Sequence, residues 1–252
     1  MDLVTIVTPV FNSSKFLHET IDSVLNQTHS NFEMICVDDI STDSSVQIIN
    51  EYSSIDSRIK LIQLHTKGGA SIARNSAIKQ ASGKYIAFLD ADDIWHPEKL
   101  EKQIKFMKEN LYSFTYTNFS MIDDKSNILG YAQSEEIVNY KSLLKRNSIG
   151  CLTVMYNKED VGLVQIERID KRNDYALWLN ILKKVSYGYC LTETLSSYRI
   201  SENSLSNKSH KLNLLKYHFY LFNRVEGFGV IKSLYYTVIN GWNYLNKTRR
   251  NS

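Results

Sequence analysis

Residues 3–10 alternate apolar and β-branched positions up to Pro9, which predicts a first β-strand. Leu17, Ile21, Val24 and Leu25 then recur at i, i+4, i+7 and i+8, one apolar helical stripe that Ser13 or Ser14 is placed to cap. Residues 32–37 form a second strand-like run closed by Asp38-Asp39, and Ser41 or Thr42 precedes a helix to about Tyr52 with Val46 and Ile49 inward. A third strand is expected over 59–64. Gly68-Gly69 breaks the chain before a helix whose inner positions, Ala70, Ala73, Ala77 and Ala81, are all small enough for close packing on a sheet. Residues 84–89 read as a fourth strand. Pro97 at a first helical position opens a helix with Leu100, Ile104, Met107 and Leu111 inward and Glu98–Lys102 and Glu101–Lys105 pairs outside.

Strands alternating with helices at this spacing predict an α/β fold with a mostly parallel central sheet and right-handed crossovers. Beyond Tyr112 the pattern loosens into short extended pieces at 114–119 and 152–156, a helix from Asp174 to about Val185, and a mixed final third. There is no internal repeat and no clear linker, so a separately folding second domain is not expected.

Composition narrows the class. The chain has 252 residues, 43% hydrophobic and 23% charged, enough to bury a sizeable core. A net charge of +3 is too mild for nucleic-acid binding. From Asn207 onward, however, eight basic residues face the single acid Glu226. Cys36, Cys151 and Cys190 are odd in number and far apart, as for reduced thiols, with neither a disulfide framework nor a zinc spacing. No secretion leader opens the sequence and no apolar run approaches the length of a membrane span, so a cytoplasmic location is expected.

The stretch Gly83-Lys84-Tyr85-Ile86-Ala87-Phe88-Leu89-Asp90-Ala91-Asp92-Asp93 runs an apolar strand into three carboxylates within four positions. Clustered acids cannot continue into a core without losing solvation, so they sit at the strand's C-terminal edge. Hard oxygen ligands there suit Mg²⁺ or Mn²⁺ bridging a phosphorylated substrate; a surface turn is the plain alternative. Three further blocks fall in register with it: Thr8-Pro9-Val10-Phe11-Asn12 after strand one, Val37-Asp38-Asp39-Ile40-Ser41-Thr42-Asp43 after strand two, and Gly69 through Ala73-Arg74-Asn75 opening the third helix.

In the order and spacing of these blocks, residues 3–205 resemble a family 2 glycosyltransferase of the inverting, nucleotide-diphospho-sugar-dependent GT-A type. The resemblance implies a GT-A domain over 1–205, with helices on both sheet faces, and a basic, aromatic helical extension over 206–252. It places Pro9 and Phe11 beside the nucleotide, with Phe11 stacking on a base such as uracil; a core aromatic is the alternative. Asp39 would accept a hydrogen bond from the base and Asp38 orient nearby backbone, although an Asx turn explains the pair equally. Arg74 would meet the diphosphate with its fork, against a solvent-facing arginine. Asp90 and Asp92 match the family's Asp-x-Asp, with Asp92 and Asp93 as candidate ligands of the metal that assists nucleoside diphosphate departure.

Asn173-Asp174-Tyr175-Ala176-Leu177-Trp178 matches the family's second acidic motif, usually Glu-Asp followed four residues later by Trp. Asp174 is thereby implied as the base that accepts the acceptor hydroxyl's proton, with a helix N-cap as its alternative role. Trp178, at i+4 on one helical face, would wall the acceptor sugar. Asn173 departs from the usual Glu. Tyr198-Arg199-Ile200-Ser201 keeps Arg199 as a diphosphate contact but has Ser201 where many relatives carry His.

The expected partners are a nucleotide-diphospho-sugar donor, probed first as a UDP-sugar, and a saccharide or polyprenyl-linked acceptor of surface polysaccharide synthesis. Segments 214–222 and 231–242 mix aromatics, aliphatics and lysines, which suits the cytoplasmic face of the inner membrane. Packing on the catalytic domain, or a homodimer, is the alternative. Rival readings are a sugar nucleotidyltransferase or a dinucleotide oxidoreductase, both of which want a glycine-rich loop that residues 8–14 lack, and a non-catalytic sugar-nucleotide-binding scaffold.

Overall fold

β1 (Val4–Val10) is almost wholly buried, which demands neighbours on both sides. It pairs in parallel with β2 (Phe32–Asp38) and with β4 (Tyr85–Phe88), and β3 (Ile59–Gln63) extends the parallel set beyond β2. The computed structural model describes residues 1–166, 168–169, 171–200 and 211–250, with 211–214 and 244–250 as backbone alone.

The period-two alternation of these strands serves two cores. Val4, Ile6, Val10, Met34, Cys36 and Ala87 face the layer formed by α1 (Leu17–Leu25), α2 (Ser45–Ile55) and α4 (Lys99–Asn110). Val7, Ile35, Val37, Ile86 and Phe88 face α3 (Gly69–Gln80), α5 (Tyr140–Lys145) and α7 (Asn173–Leu182). Ala73 and Ala77 are fully buried, as their small size predicts.

Past β4 the sheet is mixed. Its order is β3-β2-β1-β4-β9-β6-β10-β5, where β5 is Ile94–Trp95, β6 Phe114–Ile122, β9 Met155–Asn157 and β10 Gly188–Arg199. β7 (Ile128–Ala132) pairs with β6, and β8 (Ile137–Val138) with β10. β9 is antiparallel to both β4 and β6, whereas β6 and β10 pair in parallel. The short strands β5, β7 and β8 have no legible period of their own. α6 (Lys158–Val161) is one further short turn.

Helix caps differ from expectation. Neither Ser13 nor Ser14 caps α1, and neither Ser41 nor Thr42 caps α2; the residues at the cap positions, Phe16 and Ser44, make no side-chain cap bond. The loops are instead stapled to each other: Ser13 N–H donates to Ser45 Oγ and Ser14 N–H to Asp43 Oδ2, both at 2.9 Å. Leu111, expected inward, ends α4 in a left-handed conformation (φ 57°) and is exposed. Glu98 pairs with Lys102 at 2.9 Å, while Glu101 accepts from the Thr28 hydroxyl.

α8 (Lys211–Tyr220) runs into a π-helical turn, Leu221–Val225, and then α9 (Val230–Arg250). Leu221 and Phe222 share one core with Tyr175 and Trp178, so this segment packs on the main sheet's helical layer. The boundary expected at 205/206 lies outside the described residues, as does Ser201. Among the described residues, no helix is long and apolar enough to cross a membrane.

His218 of α8 is buried with its ring edge-on to Tyr175, and its Nδ1 has no partner among the described residues. Burial, with a smaller push from Arg172, lowers its pKa from the ordinary 6.5 to about 3. The fold therefore holds the neutral ring. Its contribution is complete above pH 6.5 and declines as pH falls toward about 3, because the unfolded chain takes up a proton that the folded one refuses. In thermal melts across that window, His218→Phe should flatten the fall of Tm with acidity; parallel curves for variant and parent would remove His218 from the acid response.

Candidate active site

The C-terminal ends of β1, β2 and β4 lie side by side, and the loops leaving them hold one another. Asn12, at φ 48°, accepts Thr42 N–H through its side chain at 2.8 Å, while its own N–H donates to Ser41 Oγ. This pins Phe11 at the strand end with 43% of its surface exposed and the Lys67 ammonium 3.9 Å above its ring. The core alternative for Phe11 is thereby excluded. Pro9 sits one turn of pleat deeper, opposite Val37 and partly exposed.

Both acids after β2 organise backbone. Asp38 accepts from Ser41 N–H, as its expected orienting role requires. Asp39 reaches across to the start of α3, accepting Gly68 N–H at 2.6 Å and Gly69 N–H at 2.9 Å. Gly69 takes φ +73°, a conformation that side-chain-bearing residues avoid. Each Asp39 oxygen retains a lone pair, so the bonds leave room for a further donor.

Arg74 is neither solvent-facing nor turned outward. It is buried, and its guanidinium bonds to Asp90 Oδ1, to Asn173 Oδ1 and, at 3.3 Å, to Cys151 Sγ. Burial opposes its charge, but Asp90, Cys151 and Asp174 outweigh that, and its pKa is raised. Cys151, whose thiol is pushed well up by burial, arrives on a 3₁₀ turn, Cys151–Thr153, from a stretch without periodicity. No sequence signal singled it out.

The three clustered acids are not equivalent. Asp90 is ion-paired to Arg74. Asp93, expected as a metal ligand, is fully buried: Oδ1 accepts Arg199 N–H at 2.9 Å and Oδ2 has no partner among the described residues. Burial, then Asp92 and Asp90, push its pKa well up. Asp92 is half-buried, and burial followed by the Asp90 charge lifts it to about 6. Hard oxygen donors crowded enough to resist ionisation fit a divalent cation at the Asp92 end of the cluster. Among the described residues no three His, Cys, Asp or Glu side chains form a ready-made cage for a metal ion.

Arg199, expected at the diphosphate, is also turned inward. Its Nε donates to the Asp92 carbonyl at 2.9 Å, and its terminal nitrogens to Asp123 O, Ser126 Oγ and Glu19 Oε2. Its guanidinium lies 4.2 Å from the Phe16 ring. All of these partners are distant in sequence, which is why the motif alone misassigned it.

Asp174 lies in the first turn of α7, half-buried; the cap position is Arg172, in a left-handed conformation without a side-chain cap bond. Among the described residues no hydrogen bond reaches the Asp174 carboxylate, so the N-cap alternative is not what the helix uses. Its charge acts on both Arg74 and Cys151. Trp178 corrects the sequence reading: it is 0% exposed, edge-on to Phe88 with ring centroids 5.1 Å apart, and tilted against Phe114. Tyr175, Ala176, Leu177 and Leu179 are also fully buried, so only the first turn of α7 reaches the sheet edge.

The acid cluster, the exposed Phe11 ring and the Asp174 carboxylate lie on a sheet that has the GT-A glycosyltransferase fold. Residues 5–158 match the family described as Glycosyl transferase family 2, and the chain belongs to that family. It is 40% identical over 232 residues to TuaG of Bacillus subtilis (strain 168), assigned by name to teichuronic acid biosynthesis, covering 92% of this chain and 91% of that one. It is 40% identical over 214 residues to WfgD of Escherichia coli, a UDP-Glc:alpha-D-GlcNAc-diphosphoundecaprenol beta-1,3-glucosyltransferase, covering 83% and 81%. Among solved structures, S. aureus TarS 1-349 with UDP-GlcNAc superposes at a TM-score of 0.69 and 20% identity, covering 92% of this chain and 69% of that one. The mannosyltransferase PcManGT from Pyrobaculum calidifontis, with GDP-Man and Mn2+, gives 0.67 at 14% identity, with 92% and 69% covered.

Substitutions at two positions separate scaffold from site. Arg74→Met should cost about 3–5 kcal/mol in denaturant unfolding, because Asp90 and Asn173 lose a buried charged partner; Arg74→Lys should not restore it, since one ammonium cannot span both. Trp178→Ala should cost about 3–5 kcal/mol as a core cavity, whereas a folded Trp178→Phe should keep the KM for acceptor. A selective rise in that KM would return Trp178 to the acceptor site.

Proposed function

We propose that this family 2 glycosyltransferase moves a sugar from a UDP-sugar to a hydroxyl of a polyprenyl-diphosphate-linked saccharide, with inversion, in the assembly of a surface polysaccharide. The observation that carries the reading is Asp174: a carboxylate without a side-chain bond within the described residues, in the first turn of α7, close enough for its charge to act on Arg74, which is ion-paired to Asp90 at the acidic strand end. The named activity of WfgD, and of the 37% identical WfaP of Escherichia coli, supports both the UDP donor and the lipid-linked acceptor.

In this reading Phe11 offers its exposed face to the base, and Asp39 adds an acceptor beside the Gly68-Gly69 amides. Asp92, with Asp90 beside it, would hold Mn²⁺ or Mg²⁺, which would supply Lewis-acid assistance to departure of the diphosphate. Arg74 acts on Asp90 and on the start of α7 and so positions both ends of the site. Arg199 fixes the acid loop from the opposite side. Asp174 accepts the acceptor hydroxyl's proton as its oxygen attacks the anomeric carbon from the face opposite the leaving diphosphate, and no covalent sugar–enzyme bond forms. The work is set at the cytoplasmic face of the membrane, where such acceptors are reached.

Purified protein with a panel of UDP-sugars and a synthetic lipid-diphosphate saccharide provides the test. Asp174→Asn should lower turnover by roughly 10²–10⁴ and leave UDP affinity near that of the parent. Undiminished transfer by that variant would remove Asp174 as the base. Chelator, or Asp92→Asn, should weaken UDP-sugar binding, and Mn²⁺ should restore it to the parent only; binding indifferent to both would argue against a metal at Asp92.

A further inference from the structure

α9 packs with its polar side inward. Ser233, Thr237 and Asn240 are buried, while Ile231, Leu234, Tyr235, Val238 and Trp242, at i, i+3, i+4, i+7 and i+11, are half or more exposed. The orientation is fixed. Asn240 Nδ2 donates to the Leu144 carbonyl at 2.8 Å and Asn243 Nδ2 to the Lys145 carbonyl at 3.1 Å, filling acceptors at the end of α5 that its own helix leaves open. Ser233 and Thr237 satisfy their hydroxyls on backbone carbonyls within the same segment. Turning the apolar stripe inward would break these bonds and bury other polar groups.

We propose that this outward face of α9 docks on an anionic phospholipid surface, lying in the plane of the interface. The charge around it selects the occupant. Lys216, Arg224 and Lys232 are exposed, and Glu226, the only acid after Asn207, is withdrawn into contacts with Lys183 and the Tyr140 hydroxyl. A two-fold contact between copies would set like charges against each other around the apolar stripe, whereas an anionic leaflet complements them. Trp242 and Tyr235 have the amphipathic rings that settle at headgroup depth. The surface rests on the membrane-borne acceptor proposed above, yet its test needs neither donor nor acceptor.

Three tryptophans make the test direct, because Trp95 and Trp178 are buried and Trp242 is 67% exposed. The full chain is mixed with vesicles of phosphatidylglycerol and phosphatidylethanolamine, or of phosphatidylcholine alone, and read by co-sedimentation and tryptophan emission. Emission should shift to the blue with the anionic vesicles only, and Trp242→Phe should abolish the shift while largely retaining sedimentation. Val238→Ser combined with Trp242→Ser should lower partition at least about tenfold, and Lys232→Glu about fivefold or more, with melting temperature and UDP-sugar binding unchanged. Equal partition of parent and double variant overturns the proposal. So does a dimer in light scattering that the double variant dissociates, which would assign the face to a second copy. Vesicle binding without transfer to a lipid-linked acceptor would instead fail the functional reading and leave the docking surface standing.

Discussion

One buried positive charge organises the catalytic edge. A guanidinium removed from water costs several kcal/mol unless its donors are met, and the two terminal nitrogens of Arg74 bond to groups from three separate places, Asp90 after β4, Asn173 at the start of α7 and Cys151 on the 3₁₀ turn, while Nε has no partner among the described residues. The strand end carrying the acid cluster and the helix carrying Asp174 are thus held to the same point. Asn173, where Glu is usual in the family, contributes an oxygen without a charge. Asp90 is therefore the carboxylate that directly pairs with Arg74, and the Asp174 charge is left to act across the gap.

A second buried arginine grips the same loop from the other side. Arg199 takes the Asp92 carbonyl while its own amide takes Asp93, and it ties both to Glu19 of α1 and to the turn at Asp123 and Ser126. The roles of the three acids follow from what else claims them. Asp90 Oδ1 pairs with Arg74 and Asp93 Oδ1 accepts the Arg199 amide, whereas Asp92 is the half-buried carboxylate whose pKa burial and the Asp90 charge raise to about 6. Sequence spacing cannot make this distinction, because all three sit within four positions.

What was legible was local. Period-two and period-3.6 patterns found β1 to β4 and α1 to α4, and strand ends located Phe11, Asp39 and the acid cluster. What was not legible depends on contacts far along the chain. Spacing i, i+4 puts Asp174 and Trp178 on one face, but it does not say that α7 is enclosed on nearly every side beyond its first turn. Arg74 and Arg199 were found as residues and misread in direction, since their partners lie far along the chain. The amphipathic tail was visible as composition, whereas the bonds of Asn240 and Asn243 to α5 decide which face looks outward.

Topology explains why every chemical group lies at one edge. β1, β2 and β4 run in parallel, so their C-termini deliver Phe11, Asp39 and Asp90 together. β9 enters antiparallel, with Met155 opposite Ala87 and Asn157 opposite Tyr85. The residues that precede β9 therefore overshoot β4 on its C-terminal side, and Cys151 reaches Asp90 for that reason alone. β6, antiparallel to β9, recovers the direction of β4, and β10 runs parallel to β6 with Arg199 opposite Ile122. Asp123 and Arg199 consequently emerge at the same edge as the acids. Since β10 begins at the far edge, the helix before it must start near the acids and run away from them, which sets Asn173 and Asp174, rather than Trp178, beside Arg74. A reversal of a three-residue strand, invisible in the hydrophobic pattern, is thus what closes the site.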